Sequence, residues 1–254
     1  MRALLLAAGR GERMRPLSDT LAKPLLEVAG RRLIEWQIEA LVRADIRDLV
    51  INTAHLAEQI ENTLGDGHRY GARIQYSREG QQARDALETL GGIVHALPLL
   101  GPEPFLVTSS DIVTDFDYRS LLPAAAAVAS GRFDGHLVLV ENPPYHPQGD
   151  MGAEPDPAAR SIATSAQDAV RDATHDPAHE QGLLATRKGS QYTYANIGVL
   201  APRLFAGLAP VRARLFPWLY SAVGRGRVSA QVWRGRWWNV GTPQELAIVN
   251  ENYS

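Results

Sequence analysis

Short apolar runs alternate with longer amphipathic segments along most of the chain. The runs at 2–7 (RALLLA) and 48–54 (DLVINTA) are typical of buried strands, because each has a short continuous apolar centre. The segment 31–44 repeats its apolar residues every three or four positions, as an amphipathic helix does. Further strands are predicted at 72–77, 104–115, 135–142, 192–200 and 227–233. Further helices are predicted at 57–64, 84–97 and 243–252, and a helical stretch at 203–223 with a break at Pro210 and Pro217. This order predicts an α/β architecture with a mainly parallel sheet.

The stretch 143–190 interrupts this rhythm. It contains six prolines and many Asp, Ala and Gln residues, and its pattern predicts no regular element. Two interpretations stay open: an irregular excursion that carries binding residues, or a flexible insertion.

Composition narrows the functional class. The 254 residues contain no cysteine, which excludes a disulfide framework, a thiolate metal site and a thiol nucleophile. The formal net charge of −2 provides no global field for nucleic acid or an anionic membrane. The opening MRALLLAAGRGERMR starts like a signal peptide, but charged residues follow where a cleavage site needs small neutral ones. We therefore expect a soluble cytoplasmic protein with neither nucleic-acid nor membrane partners.

The first candidate site is the segment that follows the opening strand, LAAGRGERMRPL at 6–17. A strand that ends in a glycine-bearing loop can bring backbone N–H groups close to phosphates. The segment from this loop to Pro24 contains four cationic and two anionic side chains, and this local excess of positive charge suits a triphosphate. The alternative is a tight strand-to-helix turn with solvated arginines. The chain has 24 Arg and only two Lys, which favours a requirement for the compact charge of a lysine at position 23.

This string, with Lys23-Pro24 after it, resembles the signature of the sugar-phosphate nucleotidyltransferases, L-A-A-G-x-G-T-R-(x)-x-P-L and then Lys-Pro. Glu12 stands where most members have Thr, and GERMRPL is similar to the subgroup that acts on N-acetylmuramate 1-phosphate in bacterial cell-wall recycling. The likeness covers about 1–150 and 190–250. It implies one domain over 1–254, a Rossmann-like twisted sheet flanked by helices of the nucleotide-diphospho-sugar transferase type. Its nucleotide-binding half would be 1–115, and its sugar-binding half 116–254.

The resemblance also implies a reaction. A sugar 1-phosphate, with N-acetylmuramate 1-phosphate favoured, attacks the α-phosphorus of a nucleoside triphosphate, with UTP favoured, and pyrophosphate leaves. The attacking phosphate is already mostly dianionic at neutral pH, because its second pKa is about 6. It therefore needs no general base, and the protein has to position two anions and neutralise their charge.

Roles follow by resemblance. Arg13, Lys23 and Asp111 would be catalytic: Arg13 would stabilise the departing pyrophosphate and Lys23 the α-phosphate. The residues implied to hold the nucleotide are Ala8, Gly9, Gly11, Glu12, Arg13, Lys23, Gly80 and Ser109. The residues implied to hold the sugar substrate are Glu88, Asn142, Asp150 and Asn196.

Magnesium is the implied cofactor. Asp111 matches the family's metal-binding Asp, and its carboxylate is the hard oxygen ligand that Mg²⁺ prefers. The second metal position, usually an Asp in W-x-D-x-G-T, is Asn239 here, in WWNVGT at 237–242. An Asn coordinates through its carbonyl without adding negative charge, so we expect weaker Mg²⁺ binding. Two alternatives stay open: a non-catalytic relative that binds a nucleotide or sugar nucleotide, and a guanylyl- or thymidylyltransferase acting on mannose or glucose 1-phosphate.

Overall fold

The structure is a computed structural model that describes residues 1–80, 85–157, 179–187, 189 and 191–253, with the backbone alone at 179 and 180. The strands are β1 (Arg2–Leu6), β2 (Glu27–Val28), β3 (Arg31–Arg32), β4 (Asp48–Thr53), β5 (Arg73–Arg78), β6 (Phe105–Ser109), β7 (Ile112–Thr114), β8 (Gly135–Glu141), β9 (Gly152–Pro155), β10 (His179–Thr186), β11 (Tyr192–Leu200), β12 (Val228–Trp233) and β13 (Trp237–Asn239). The α-helices are α1 (Leu17–Thr20), α2 (Leu33–Arg43), α3 (Ala57–Leu64), α4 (Glu88–Leu100), α5 (Leu122–Ala129), α6 (Leu215–Val223) and α7 (Pro243–Tyr253).

One large sheet organises the described part of the chain. Its nine strands lie in the order β5-β4-β1-β6-β11-β8-β12-β10-β9. The pairings make seven of these described strands run in one direction, with β11 and β10 reversed. This confirms the predicted α/β fold with a mainly parallel sheet. The carboxyl ends of β1, β4, β5 and β6 meet at one edge, where open α/β sheets bind ligands.

Helices cover both faces of the sheet, which explains why its strands read as continuous apolar runs. Leu5 of β1 belongs to a buried cluster with Ile38 of α2, whereas its neighbour Leu4 belongs to a second cluster with Ile93 of α4. Leu4, Leu5 and Ile38 are fully buried. Each such side chain contributes about 1.5–3 kcal/mol through its removal from water.

Two predicted elements are divided in the structure. The strand predicted at 104–115 is β6 followed by β7, and β7 leaves the main sheet to pair with β13. Ser110 and Asp111 separate them. The helical stretch predicted at 203–223 is interrupted around Pro210 as expected: it consists of a 3-10 turn at Pro202–Phe205 and of α6, which begins only at Leu215 and continues past Pro217.

Other differences lie where the sequence pattern is weak. The region 143–190 contains β9 and β10, which form an antiparallel pair at the edge of the main sheet; the stretch 158–178 lies outside the described residues. Helix α5 is an alanine-rich segment that the pattern does not predict, because only Val128 of its residues is buried and gives no periodic signal. None of the described helices is long and apolar enough to cross a membrane.

Candidate active site

The loop after β1 folds tightly around Gly11. Gly11 has φ +68°, a left-handed conformation that glycine adopts without strain. Its carbonyl accepts hydrogen bonds from the Met14 amide at 2.8 Å and from the Ser18 hydroxyl at 2.7 Å. A Cβ atom at Gly11 would lie 3.1 Å from Cβ of Lys23. The structure therefore packs the glycine loop directly against the lysine stem.

Gly9 and Glu12 face outward on this loop. A Cβ atom at Gly9 would meet no atom within 4 Å, so the space in front of its backbone is open. Glu12 pairs with Arg10 at 3.5 Å, and both side chains are largely exposed. Such an exposed pair contributes little stability. Ala8, between the strand and Gly9, is buried.

Lys23 reaches the carboxyl end of β6. Its Nζ atom donates a hydrogen bond to Oδ2 of Asp111 at 2.5 Å. The two side chains are 12% and 22% exposed, so solvent screens the pair only partly. A cation and a carboxylate, both implied to be catalytic, thus form one ion pair beside the glycine loop.

Asp111 and Asn239 are brought together by the ribbon of β7 and β13. Asn239 is the partner of Ile112 in the pairing, and the Val240 amide donates to the Asp111 carbonyl at 2.9 Å. The Oδ1 atom of Asn239 is buried and has no hydrogen-bond partner in the described part of the chain. A buried oxygen without a donor is costly unless a ligand satisfies it.

These two residues fit a magnesium ion. A carboxylate and an amide oxygen are hard ligands, and protein-bound Mg²⁺ usually takes its other ligands from water and substrate phosphates. The described residues contain no group of three or more His, Cys, Asp or Glu side chains placed to hold a metal by themselves. The chain would therefore supply a small share of the coordination shell.

Arg13 lies against the start of α7. A Cβ atom at Gly241 would lie 3.0 Å from Nη2 of Arg13 and 3.1 Å from Oε2 of Glu245. The Gly241 amide donates to the same Glu245 oxygen at 2.7 Å, and the Glu245 amide donates to the Thr242 hydroxyl at 3.2 Å. The capped first turn of α7 thus holds a carboxylate beside the guanidinium. Sequence reasoning missed Glu245, although Thr242 and Glu245 have capping-box spacing.

Tyr145 approaches the same place from the loop after β8. Burial raises the pKa of its phenol, and the negative charges of Glu245 and Asp111 raise it further. About half of the side chain is exposed. Sequence reasoning missed this residue because it lies in the proline-rich stretch that predicts no element.

The implied base side of the site contains a partly buried carboxylate, that of Glu79, directly after β5. It accepts hydrogen bonds from Nδ2 of Asn52 at 2.5 Å and from the Leu87 amide at 2.7 Å. Burial raises its pKa. Gly80 follows directly, and the residues 81–84 lie outside the described chain.

Ser109 and Glu88 lie on either side of the end of β1. Ser109 pairs with Leu6 in the sheet, so it stands beside the start of the glycine loop. Glu88 begins α4 with φ +60° and lies 3.4 Å from the Arg212 guanidinium. Ser109 thus adjoins the glycine loop, whereas the described contact of Glu88 is its ion pair with Arg212.

Asn142 and Asp150 meet on β11. Oδ1 of Asn142 accepts a hydrogen bond from the Thr193 hydroxyl at 3.0 Å, and Oδ1 of Asp150 accepts one from the Tyr194 amide at 2.8 Å. Burial raises the pKa of Asp150. Asn196 has φ +56° where the pairing of β11 and β8 changes register, and it lines a small cavity with Leu6 and Thr89. All three residues belong to the implied sugar-binding half, and Asn196 adjoins the nucleotide-binding half at this cavity.

Comparisons with known proteins give a consistent result. The family model described as nucleotidyl transferase matches residues 2–254. N-acetylmuramate alpha-1-phosphate uridylyltransferase of Neisseria meningitidis serogroup B is 42% identical over 95% of this chain and 94% of its own length. The enzyme of the same name from Caulobacter vibrioides is 33% identical over 95% of this chain and 92% of its own length. Mannose-1-phosphate guanylyltransferase catalytic subunit beta of Danio rerio is 35% identical over 48% of this chain and 34% of its own length.

A solved structure shares the fold. It comes from Bacillus anthracis, is assigned as a glucose-1-phosphate thymidylyltransferase and contains a sucrose. It has a TM-score of 0.75 and 18% identity, and the match covers 100% of this chain and 95% of that chain.

Proposed function

The chain belongs to the nucleotidyl transferase family, and we propose that it transfers UMP from UTP to N-acetylmuramate 1-phosphate, giving UDP-N-acetylmuramate and pyrophosphate. The choice of substrates is supported by the two uridylyltransferases, which match this chain over 92% or more of their own lengths. The guanylyltransferase likeness covers only 48% of this chain and 34% of that enzyme's own length.

The observation that carries this proposal is the ion pair of Lys23 and Asp111 beside the Gly11 loop. A phosphate oxygen of the sugar 1-phosphate attacks the α-phosphorus, and a new P–O bond forms. The bond from the α-phosphorus to the β-bridging oxygen breaks, and pyrophosphate leaves with that electron pair. No proton has to be removed from the nucleophile, so the work of the protein is placement and charge neutralisation.

Each cation has a place in this scheme. Lys23 would stabilise negative charge on the α-phosphoryl group, and Arg13, held at the first turn of α7, would stabilise the charge on pyrophosphate. The open backbone around Gly9 would receive the phosphates. Mg²⁺, held by Asp111 and Asn239, would neutralise phosphate charge when bound.

The site joins the two implied halves of the chain. Lys23 and Asp111 come from the nucleotide-binding half, 1–115, whereas Asn239, Glu245 and Tyr145 come from the sugar-binding half, 116–254. This arrangement is suited to a reaction in which two substrates meet.

The test is a matrix of UTP, GTP and dTTP against N-acetylmuramate, mannose and glucose 1-phosphates, with pyrophosphate release as the readout. We expect the highest kcat/KM for UTP with N-acetylmuramate 1-phosphate. A higher value for GTP with mannose 1-phosphate, or for dTTP with glucose 1-phosphate, would contradict the proposal.

Asn239 favours one alternative function, a relative that binds nucleotide without turnover, because it lacks the charge of the usual second Asp. UTP binding without pyrophosphate release at saturating Mg²⁺, with activity restored by Asn239→Asp, would support that alternative.

A further inference from the structure

Asn52, the next-to-last residue of β4, is a polar side chain in the apolar centre of the fold. It is 3% exposed. Its Oδ1 atom accepts a hydrogen bond from the Ala7 amide at 2.7 Å, and its Nδ2 atom donates to Oε1 of Glu79 at 2.5 Å. The Ala7 N–H can only donate, so it fixes which end of the Asn52 amide faces Glu79.

This network joins three segments that are distant in sequence. Ala7 is the first residue after β1, where the glycine loop begins. Glu79 follows β5, and its second oxygen accepts the Leu87 amide at 2.7 Å, one residue before α4. The side chain of Asn52 therefore lies between the loop implied to hold the phosphates and the loop implied to hold the base.

Helix α4 packs closely against the side chains of Asn52 and Glu79. A Cβ atom at Gly92 of α4 would lie 2.3 Å from Oε1 of Glu79 and 2.7 Å from Nδ2 of Asn52. Real side chains do not approach so closely, so α4 packs on the pair only because position 92 is glycine.

We propose that Asn52 is a positioning residue for nucleotide binding, which holds the Ala7 end of the phosphate loop and the Glu79 loop at a fixed separation. Its two hydrogen bonds connect the two loops. Without them, the position of one loop would depend on β1 and that of the other on β5. This inference rests on the proposed function, because it assigns a role in the binding of UTP. Asn52 need not touch the substrate.

Two substitutions together can exchange the donor and the acceptor of the hydrogen bond between Asn52 and Glu79 without changing the net charge. Asn52→Asp alone keeps the acceptor for Ala7 but places two carboxyl groups in contact. Glu79→Gln alone leaves one amide hydrogen bond of the network unmade. The double variant restores all three bonds, because the glutamine then donates to the aspartate and accepts from Leu87.

Binding of UTP to the full-length chain, measured by calorimetry with Mg²⁺, tests this. We expect Asn52→Asp to raise Kd and KM for UTP about tenfold or more, with a smaller change in kcat, and the double variant to return within about threefold of wild type. If Asn52→Asp does not fold, the comparison is made in the Glu79→Gln background, where adding Asn52→Asp should tighten UTP binding. Because this addition also restores a hydrogen bond, the urea unfolding midpoint of each variant is measured beside its Kd, and tighter UTP binding at an unchanged midpoint distinguishes positioning from a purely structural role.

Asn250→Asp is the matched control. Asn250 also accepts a backbone amide, that of Ala29 at 2.9 Å, and donates to the Leu246 carbonyl at 3.0 Å, on α7 away from the proposed site. It should leave the Kd for UTP unchanged. Wild-type affinity in a folded Asn52→Asp variant, or a double variant no better than Glu79→Gln, would overturn this inference alone. A wild-type chain that does not bind UTP would overturn the proposed function as well.

Discussion

Lys23 and Asp111, 88 positions apart in sequence, share a hydrogen bond of 2.5 Å between Nζ and Oδ2. The cation implied for the α-phosphate and the carboxylate implied for the metal therefore neutralise each other in the absence of substrate. A complex of a metal ion with a triphosphate supplies a cation that can pair with Asp111 and an anion that can pair with Lys23. Its binding can replace one ion pair with two.

Lys23→Ala should lower kcat about a hundredfold or more, because a point charge at the reacting phosphoryl group is lost. Lys23→Arg should recover only part of this rate, since the planar guanidinium does not reproduce a compact ammonium in a site packed against Gly11. Steady-state pyrophosphate release measures both variants, and circular dichroism checks their folding. A wild-type rate in Lys23→Ala would remove Lys23 from the mechanism.

Asn239→Asp should lower the Mg²⁺ concentration that gives half-maximal rate by about tenfold, because a second negative charge joins Asp111 near the ion. The measurement is a Mg²⁺ titration of activity at saturating UTP. Asn252→Asp adds the same charge on the exposed side of α7 and should leave the titration unchanged. An unchanged Mg²⁺ requirement in Asn239→Asp would show that the ion is held elsewhere.

Gly241→Ala should raise KM for UTP severalfold with a small loss of stability. The added Cβ atom would lie 3.0 Å from Nη2 of Arg13 and 3.1 Å from Oε2 of Glu245, so both groups must shift by a few tenths of an ångström. Because both are ends of flexible side chains, the fold should survive with a thermal midpoint near that of wild type. If KM is unaffected, the position of Arg13 does not matter for binding.

Buried His136 should make the protein less stable in mild acid. It contacts Ser229 at 2.9 Å and Gln231 at 3.0 Å, and burial lowers its pKa to about 4. In the unfolded chain this histidine has an ordinary pKa of about 6.5, so it binds a proton at a higher pH than in the folded protein. Its contribution to the free energy of unfolding is therefore fully present above about pH 6.5 and is lost as the pH falls toward 4. The full effect is about 3 kcal/mol.

Urea unfolding between pH 7.5 and 4.5 measures this loss, and His136→Gln isolates it. The variant should lack the part of the pH dependence that comes from this group, whatever its stability at neutral pH. Asp134 contributes in a separate window, because its arginine partners lower its pKa to about 2 and its stabilisation is lost only below pH 3.8. Equal pH slopes for wild type and variant would contradict the assignment.

The sequence predicted the elements whose burial is periodic or continuous. Strand β11 and helix α3 begin and end where their patterns do, and Gly65 ends α3 with φ +60° as a glycine stop. The alanine-rich α5 and the strands β9 and β10 escaped prediction, because no apolar periodicity marks them and proline and glycine residues lie within them.

Within the site, local motifs could be read and long-range contacts could not. The glycine loop and Lys23 form one continuous signature, so resemblance identified them together. Asn52 carries no motif, and Glu245 has only a capping-box spacing with Thr242, so their places in the site depend on which elements become neighbours in the fold. Only a topology that places β4 beside β1 brings Asn52 to Ala7.

The most direct test follows the phosphorus atoms by ³¹P NMR in a mixture of UTP, N-acetylmuramate α-1-phosphate, Mg²⁺ and enzyme. The account predicts new coupled diphosphate resonances of UDP-N-acetylmuramate and an equal amount of pyrophosphate with wild type, and almost none with a folded Asp111→Asn variant. An unchanged spectrum with wild type, or full conversion by Asp111→Asn, would contradict it.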